Sequence, residues 1–347
     1  MGGALGPLCD QVRTGSLEGM HNVLAEVRTW HRPLMLMVSA MAALVLVSAI
    51  GLLVDSREIL NESVWIKPFK FAFSFAAYGA ALAWLLSRLK KAKRFGWWTG
   101  TVFALSGIID VGFIAVQAAR GTFSHFNTST DKVTAIGAQV FSIGVLSLFT
   151  ASLVIAIMLL FQKIGDKPLT RAIRAGVGLA FAGMAVALVL SRGDGERDHV
   201  TDAYGRPVEL SGGHSIGVEP GGSGLPITRW STEGGDLRVS HFFGMHALHA
   251  LLALVLLLMV LATRVTWLRA ERVRAQLVSV AAFAYTGLMT VTAFQAFRGH
   301  SVIRVDGATG AVLAGFAVVT VVALTLVVRK AVRQVPEPRT EFARLGV

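Results

Sequence analysis

Residues 240–264 read SHFFGMHALHALLALVLLLMVLATR. From Phe242 onward the stretch is long enough to cross about 30 Å of hydrocarbon as a helix, and it holds no Asp, Glu, Lys or Arg before Arg264. It nevertheless carries His246 and His249, with His241 just ahead of them. Ionisable side chains in hydrocarbon are costly, so their presence there marks a candidate site. His246 and His249 are three residues apart, share one helical face and can point at one centre. His241 lies about 140° away on a helical wheel and is expected just before the helix begins.

Seven further runs resemble this one in length and polarity. The spans are expected at 33–54, 68–88, 99–118, 134–162, 171–192, 242–264, 275–297 and 308–329. The chain is 54% hydrophobic and only 16% charged, with a mean hydropathy of +0.61, which is foreign to a soluble domain. The fold class is therefore all-α: a polytopic membrane protein of eight transmembrane helices whose partner is the lipid bilayer. The segment 1–32 is polar and lacks a basic stretch leading into an apolar core and cleavage site, so no cleaved signal peptide is expected. Leu17–Arg32 suits a short amphipathic helix. Cys9 is the one cysteine, so this chain alone makes no disulfide and no thiolate metal cage.

A net charge of +12 in a soluble protein would suggest nucleic acid. Here the basic residues crowd alternate short connections, and no nucleic-acid role follows. Arg88 to Arg94, Lys163 to Arg174, Arg264 to Arg274 and Arg329 to Arg339 follow the second, fourth, sixth and eighth spans. Residues 193–240 instead carry eight acidic side chains against four basic ones. The positive-inside rule puts both termini in the cytoplasm of a bacterial inner-membrane protein. The expected layout is a cytoplasmic segment 1–32, a first four-helix half 33–162, a fifth span 163–192 opening the second half, a Gly-rich extracytoplasmic loop 193–240, three helices over 241–329, and a cytoplasmic tail 330–347. The loop should be an irregular cap with a hairpin in it, and residues 193–198 only faintly suggest a cation loop.

Gln117-Ala118-Ala119-Arg120-Gly121 recurs as Gln295-Ala296-Phe297-Arg298-Gly299, a shift of 178 residues and four spans. A shift of four spans preserves orientation, so this internal repeat implies two pseudo-symmetric four-helix halves about an axis along the membrane normal.

With that topology the polar residues converge on the extracytoplasmic half. Lys67 and Lys70 open the second span. Gln117, Arg120 and His125 close the third, His241, His246 and His249 open the sixth, and Gln295, Arg298 and His300 close the seventh. Asp110, nearly mid-span, is expected to pair with a lysine of the second span or to handle protons. His21 and His31 lie on the cytoplasmic side and are expected to take no part; His214 joins only if the Gly-rich loop folds down.

The signatures Trp65-Ile66-Lys67-Pro68-Phe69-Lys70-Phe71, Arg120-Gly121-Thr122-Phe123-Ser124-His125-Phe126-Asn127 and His241-Phe242-Phe243-Gly244-Met245-His246 resemble those of a family of bacterial multi-pass membrane proteins, a resemblance that implies no activity. The layout alone is similar to haem A synthase. Lys67 and Lys70 stand where that family has a histidine motif, and its cysteine pair is absent.

Two functions compete. His125, His241, His246, His249 and His300 could serve haem b, or His241, His246 and His249 a transition metal, in a redox or metal-dependent role. Lys67, Lys70, Gln117, Arg120, Gln295 and Arg298 could instead bind a small anionic solute in a transporter or receptor. A structural assembly factor is the third class. No nucleotide-binding motif supports ATP-driven work.

Overall fold

The computed structural model describes residues 25–190 and 197–334. Eight long helices account for most of it: α1 (Arg32–Val54), α2 (Ile66–Ser87), α3 (Lys93–Ala119), α4 (Lys132–Leu160), α5 (Lys167–Leu190), α6 (Leu237–Ala262), α7 (Glu271–Phe297) and α8 (Gly307–Arg333). All eight are long and apolar enough to cross a membrane, and the chain is a multi-pass membrane protein. The helices outrun the apolar stretches at their ends. α3 starts at Lys93 rather than 99 and α6 at Leu237 rather than 242, because an α-helix satisfies its own backbone in the headgroup region as well as in hydrocarbon. The expected amphipathic helix over Leu17–Arg32 and the cation loop at 193–198 fall largely outside the described residues, as does His21.

The halves are built alike. In the first, α1 packs on α2 and α3, α2 on α3, and α3 on α4; in the second, α5 packs on α6 and α7, α6 on α7, and α7 on α8. The halves meet through α4 against α5 and α2 against α6. The α4–α5 contact has no comparable counterpart between α8 and α1 among the described residues, so the halves repeat one packing pattern without meeting as a symmetric pair. Close packing within a half uses glycine where backbones touch. A Cβ on Gly183 of α5 would run into the backbone of Gly244 on α6.

The repeated five residues form the same corner twice. Arg120 and Arg298 end α3 and α7, and each is followed by a glycine with φ near +70° (Gly121 +67°, Gly299 +72°). Gln117 Nε2 donates to the Phe123 carbonyl and Gln295 Nε2 to the Ser301 carbonyl, six residues on in both cases. Arg120 then pairs with Asp131, the N-cap of α4, and Arg298 with Asp306, the N-cap of α8.

One face of the bundle is capped. β1 (Glu58–Ile59) and β2 (Glu62–Ser63) form a hairpin between α1 and α2; between α5 and α6, β3 (Asp198–Thr201) pairs with β4 (Pro207–Leu210) and β5 (Ser215–Ile216) with β6 (Gly235–Asp236), all antiparallel. The β3–β4 hairpin crosses to the first half, where Ala203 N bonds the Gly121 carbonyl and Ser211 N the Phe126 carbonyl. The other face carries the basic connections after α2, α4 and α6 and the basic last turn of α8, with Lys330 and Arg333. There His31 N-caps α1: its Nδ1 accepts from the Leu34 amide, which leaves Nε2 to donate to the Trp97 carbonyl at 2.8 Å.

Candidate functional site

The polar residues expected on one side do lie at the capped face, but they sort into three places. The first is the pair of corners just described. Gln117, Arg120, Gln295 and Arg298 are fully engaged there with the turns they close, and His300 joins them, its Nδ1 3.7 Å from Asp306 Oδ2. These residues brace the loops.

The second place is a charged cleft under the cap. His214 does fold down, and it lines the cleft with Glu62, Arg229, Ser231 and Arg238. Lys70 approaches Glu62 at 3.5 Å and the carbonyls of Ile227 and Thr228 at 3.4 Å. Arg238 is clamped by Asp236, whose side chain is wholly buried, and donates to the Arg229 carbonyl at 2.6 Å. Asp236 also N-caps α6 through the Arg238 amide and lies 3.7 Å from His214 Nδ1. Lys67, half-buried on the first turn of α2, has no hydrogen bond or ion pair among the described residues, although Glu62 lies near enough for its charge to be felt. The charge of Lys67 reaches both His125 and His214. Burial, followed by the charges of Lys67 and His214, holds the His125 imidazole well below its ordinary range. Burial, then Arg238, pushes His214 down to about 3 against the pull of Asp236. Burial would raise Asp236, yet the bonds and charge of Arg238 keep it below the usual carboxylate range. The lining of the cleft sets Arg229 and Arg238 against Glu62 and Glu219; with Lys67, Lys70 and Asp236 beside it, four cations stand against three carboxylates. Arg229, Arg238 and Asp236 were not singled out from sequence; an Asp just ahead of an apolar run is a helix N-cap signal that could have found Asp236 and its neighbour Arg238, while no such signal points to Arg229.

The third place lies deeper, where α6 meets α2. His246 and His249 have ring centroids 5.5 Å apart, and Tyr78 of α2 stacks against His249 at 5.9 Å. Neither ring nitrogen of His249 makes a hydrogen bond among the described residues; the Ala77 backbone interacts with the ring without reaching hydrogen-bond geometry. His241 does not precede the helix. It lies inside α6, which runs back to its Asp236 cap, and its position 140° round the wheel turns it to α5, where Nδ1 meets the Gly183 carbonyl at 2.7 Å. His125 packs among Phe71, Phe126 and Phe141. The five histidines therefore do not converge, and no group of three or more His, Cys, Asp or Glu side chains placed to hold a metal occurs among the described residues. Two axial haem ligands must approach from opposite faces of the ring, which His246 and His249, neighbours on one helix face, cannot do.

Asp110 lies apart from all three. It is 2% exposed, and instead of pairing with a lysine of α2 it packs on Gly144 of α4, both oxygens without a hydrogen bond among the described residues. The lysines sit at the capped end of α2, where Glu62 takes Lys70.

Comparison with protein-family models, with curated proteins and with solved structures finds no match to the chain.

Proposed function

We propose that this multi-pass membrane protein binds a small anion at Lys67, reached from the capped face, as a receptor or as the outer site of a transporter. The observation that carries the reading is an ammonium without hydrogen bond or ion pair among the described residues, beside a cleft where four cations stand against three carboxylates. A half-buried charge lacking a counter-ion is costly, and an anion seated between Lys67 and Arg238 would relieve that cost. His214, held neutral chiefly by burial, would donate an N–H bond without adding charge. The basic loops on the opposite face orient the cleft outward in a cytoplasmic membrane, with both termini inside.

The test is thermal unfolding of the detergent-purified protein across inorganic and carboxylate anions at constant ionic strength. A bound anion at a hundred times its Kd adds about 2.7 kcal/mol of stability. The expected result is a rise in Tm with at least one anion class that Lys67→Gln abolishes; no rise, or a rise that Lys67→Gln leaves intact, refutes the reading.

A second reading, an ion held by His246 and His249, is favoured by one observation: the buried nitrogens of His249 that make no hydrogen bond among the described residues.

A further inference from the structure

We propose that His246 and His249 hold a monovalent copper ion, Cu(I), between the two halves of the bundle. This rests on the imidazole reading above and is independent of the anion cleft.

The geometry permits a shared ion. With metal–nitrogen bonds of about 2.0–2.1 Å and about 1.1 Å from ring nitrogen to ring centre, two imidazoles on one ion have centroids up to about 6.4 Å apart. The observed 5.5 Å falls inside that limit, and the near-linear arrangement that two-coordinate Cu(I) prefers requires the two rings to part by about a further 0.9 Å. The nitrogens of the partly buried His249 supply the independent pointer to a ligand: neither has a hydrogen bond among the described residues, the Ala77 backbone being the nearest competitor, and such a nitrogen is costly until something accepts its lone pair. Phe242, with its ring 4.4 Å from His246, and Tyr78 wall the site off on two sides.

The donor set selects the ion. No carboxylate or thiolate joins the two imidazoles, since no third metal-ligating side chain converges among the described residues. A structural zinc ion takes four donors, and a dication with only neutral ligands would bring its full charge into the apolar interior. The solvation cost of an ion rises with the square of its charge, so a monovalent ion pays about a quarter as much. Among ions that imidazole suits, Cu(I) is monovalent and accepts few ligands.

The test uses the full chain in detergent, loaded anaerobically with Cu(I) and challenged with bicinchoninate, with Zn(II) and haem b offered in parallel. The expected result is one Cu(I) retained per chain, with X-ray absorption reporting two nitrogen neighbours. Retention should fall by about tenfold or more in His246→Gln and in His249→Gln, but not in His241→Gln. Each variant is first checked for wild-type unfolding behaviour, and X-ray absorption of the wild type decides the matter should a variant fail to fold. Retention of Zn(II) or haem without Cu(I) would overturn copper and keep the imidazole site. Retention of none, or copper bound without nitrogen neighbours or indifferent to both substitutions, would overturn both.

Discussion

Arg120 holds Asp131 at 2.8 Å, so the side chain that ends α3 grips the side chain that starts α4. The carboxylate also accepts from the Thr134 amide, closing the first turn of α4. Asp131→Ala should cost about 1–2 kcal/mol, about 1 of it from the lost cap. Arg120→Ala should cost less than about 1, because both partners are a third or more exposed and water screens the pair. Thermal unfolding of the two variants checks the ordering. Thr134, with Arg120 behind it, holds the Asp131 carboxyl below its ordinary range. This contribution is present above the unfolded carboxylate pKa of about 3.9 and is lost as pH falls through the lower folded value.

His31 should matter for stability and for nothing at the capped face. His31→Ala removes both the α1 cap and the tie to Trp97 and should cost about 1–3 kcal/mol. Burial, opposed by its backbone bonds, lowers the imidazole from its ordinary value. The neutral form is the one folded, so this contribution is present above about pH 6.5 and declines as pH falls toward the lower folded value. An acid titration of Tm should lose that component in His31→Ala.

Asp236 joins four partners: the Arg238 guanidinium, the Arg238 amide, the Ser231 amide and His214. Asp236→Ala should cost about 2–3 kcal/mol, more than an ordinary cap, because it also strands a half-buried arginine. The same variant frees Arg238, so any anion response should persist or strengthen. A titration of Tm against anion concentration reads both effects together.

A side chain at Gly144 would run into the Asp110 carboxyl. Gly144→Ala should therefore destabilise by about 1–3 kcal/mol, and adding Asp110→Ala should recover most of the loss. The coupling in that double-mutant cycle is the measurement; additive losses would contradict the contact.

Much of this was legible in the chain. Eight apolar runs and alternating basic connections decide the helices, since hydrocarbon leaves a backbone no other way to satisfy itself. The shift of 178 residues found the two halves. What the repeat meant was not legible. Gln117 and Arg120 look like ligands when only their membrane face is known, and they prove to be corner braces once the following loop and its aspartate cap are in place. Asp110 misled for a related reason: a polar stripe on a helix says that residues face inward, but not which neighbour lies opposite. His241 was placed outside the helix because apolarity fades there, although Asp236 caps the helix five residues earlier. The cleft depends on Arg229 and His214 from a long Gly-rich loop, whose path no periodicity records.

The β3–β4 hairpin belongs to the loop between α5 and α6, yet its partners are Gly121 and Phe126 in the other half. Order of synthesis gives that crossing a consequence. When α1 to α4 have left the ribosome, the turn that the hairpin will cover is already made, while the covering strands are some eighty residues behind. The turn at Gly121 must stay uncovered until α5 and the loop that follows it have been made. Docking that hairpin adds a tie between the two halves beyond their helix contacts, and a chain stopped before Leu210 should leave the turn at Gly121 open to protease.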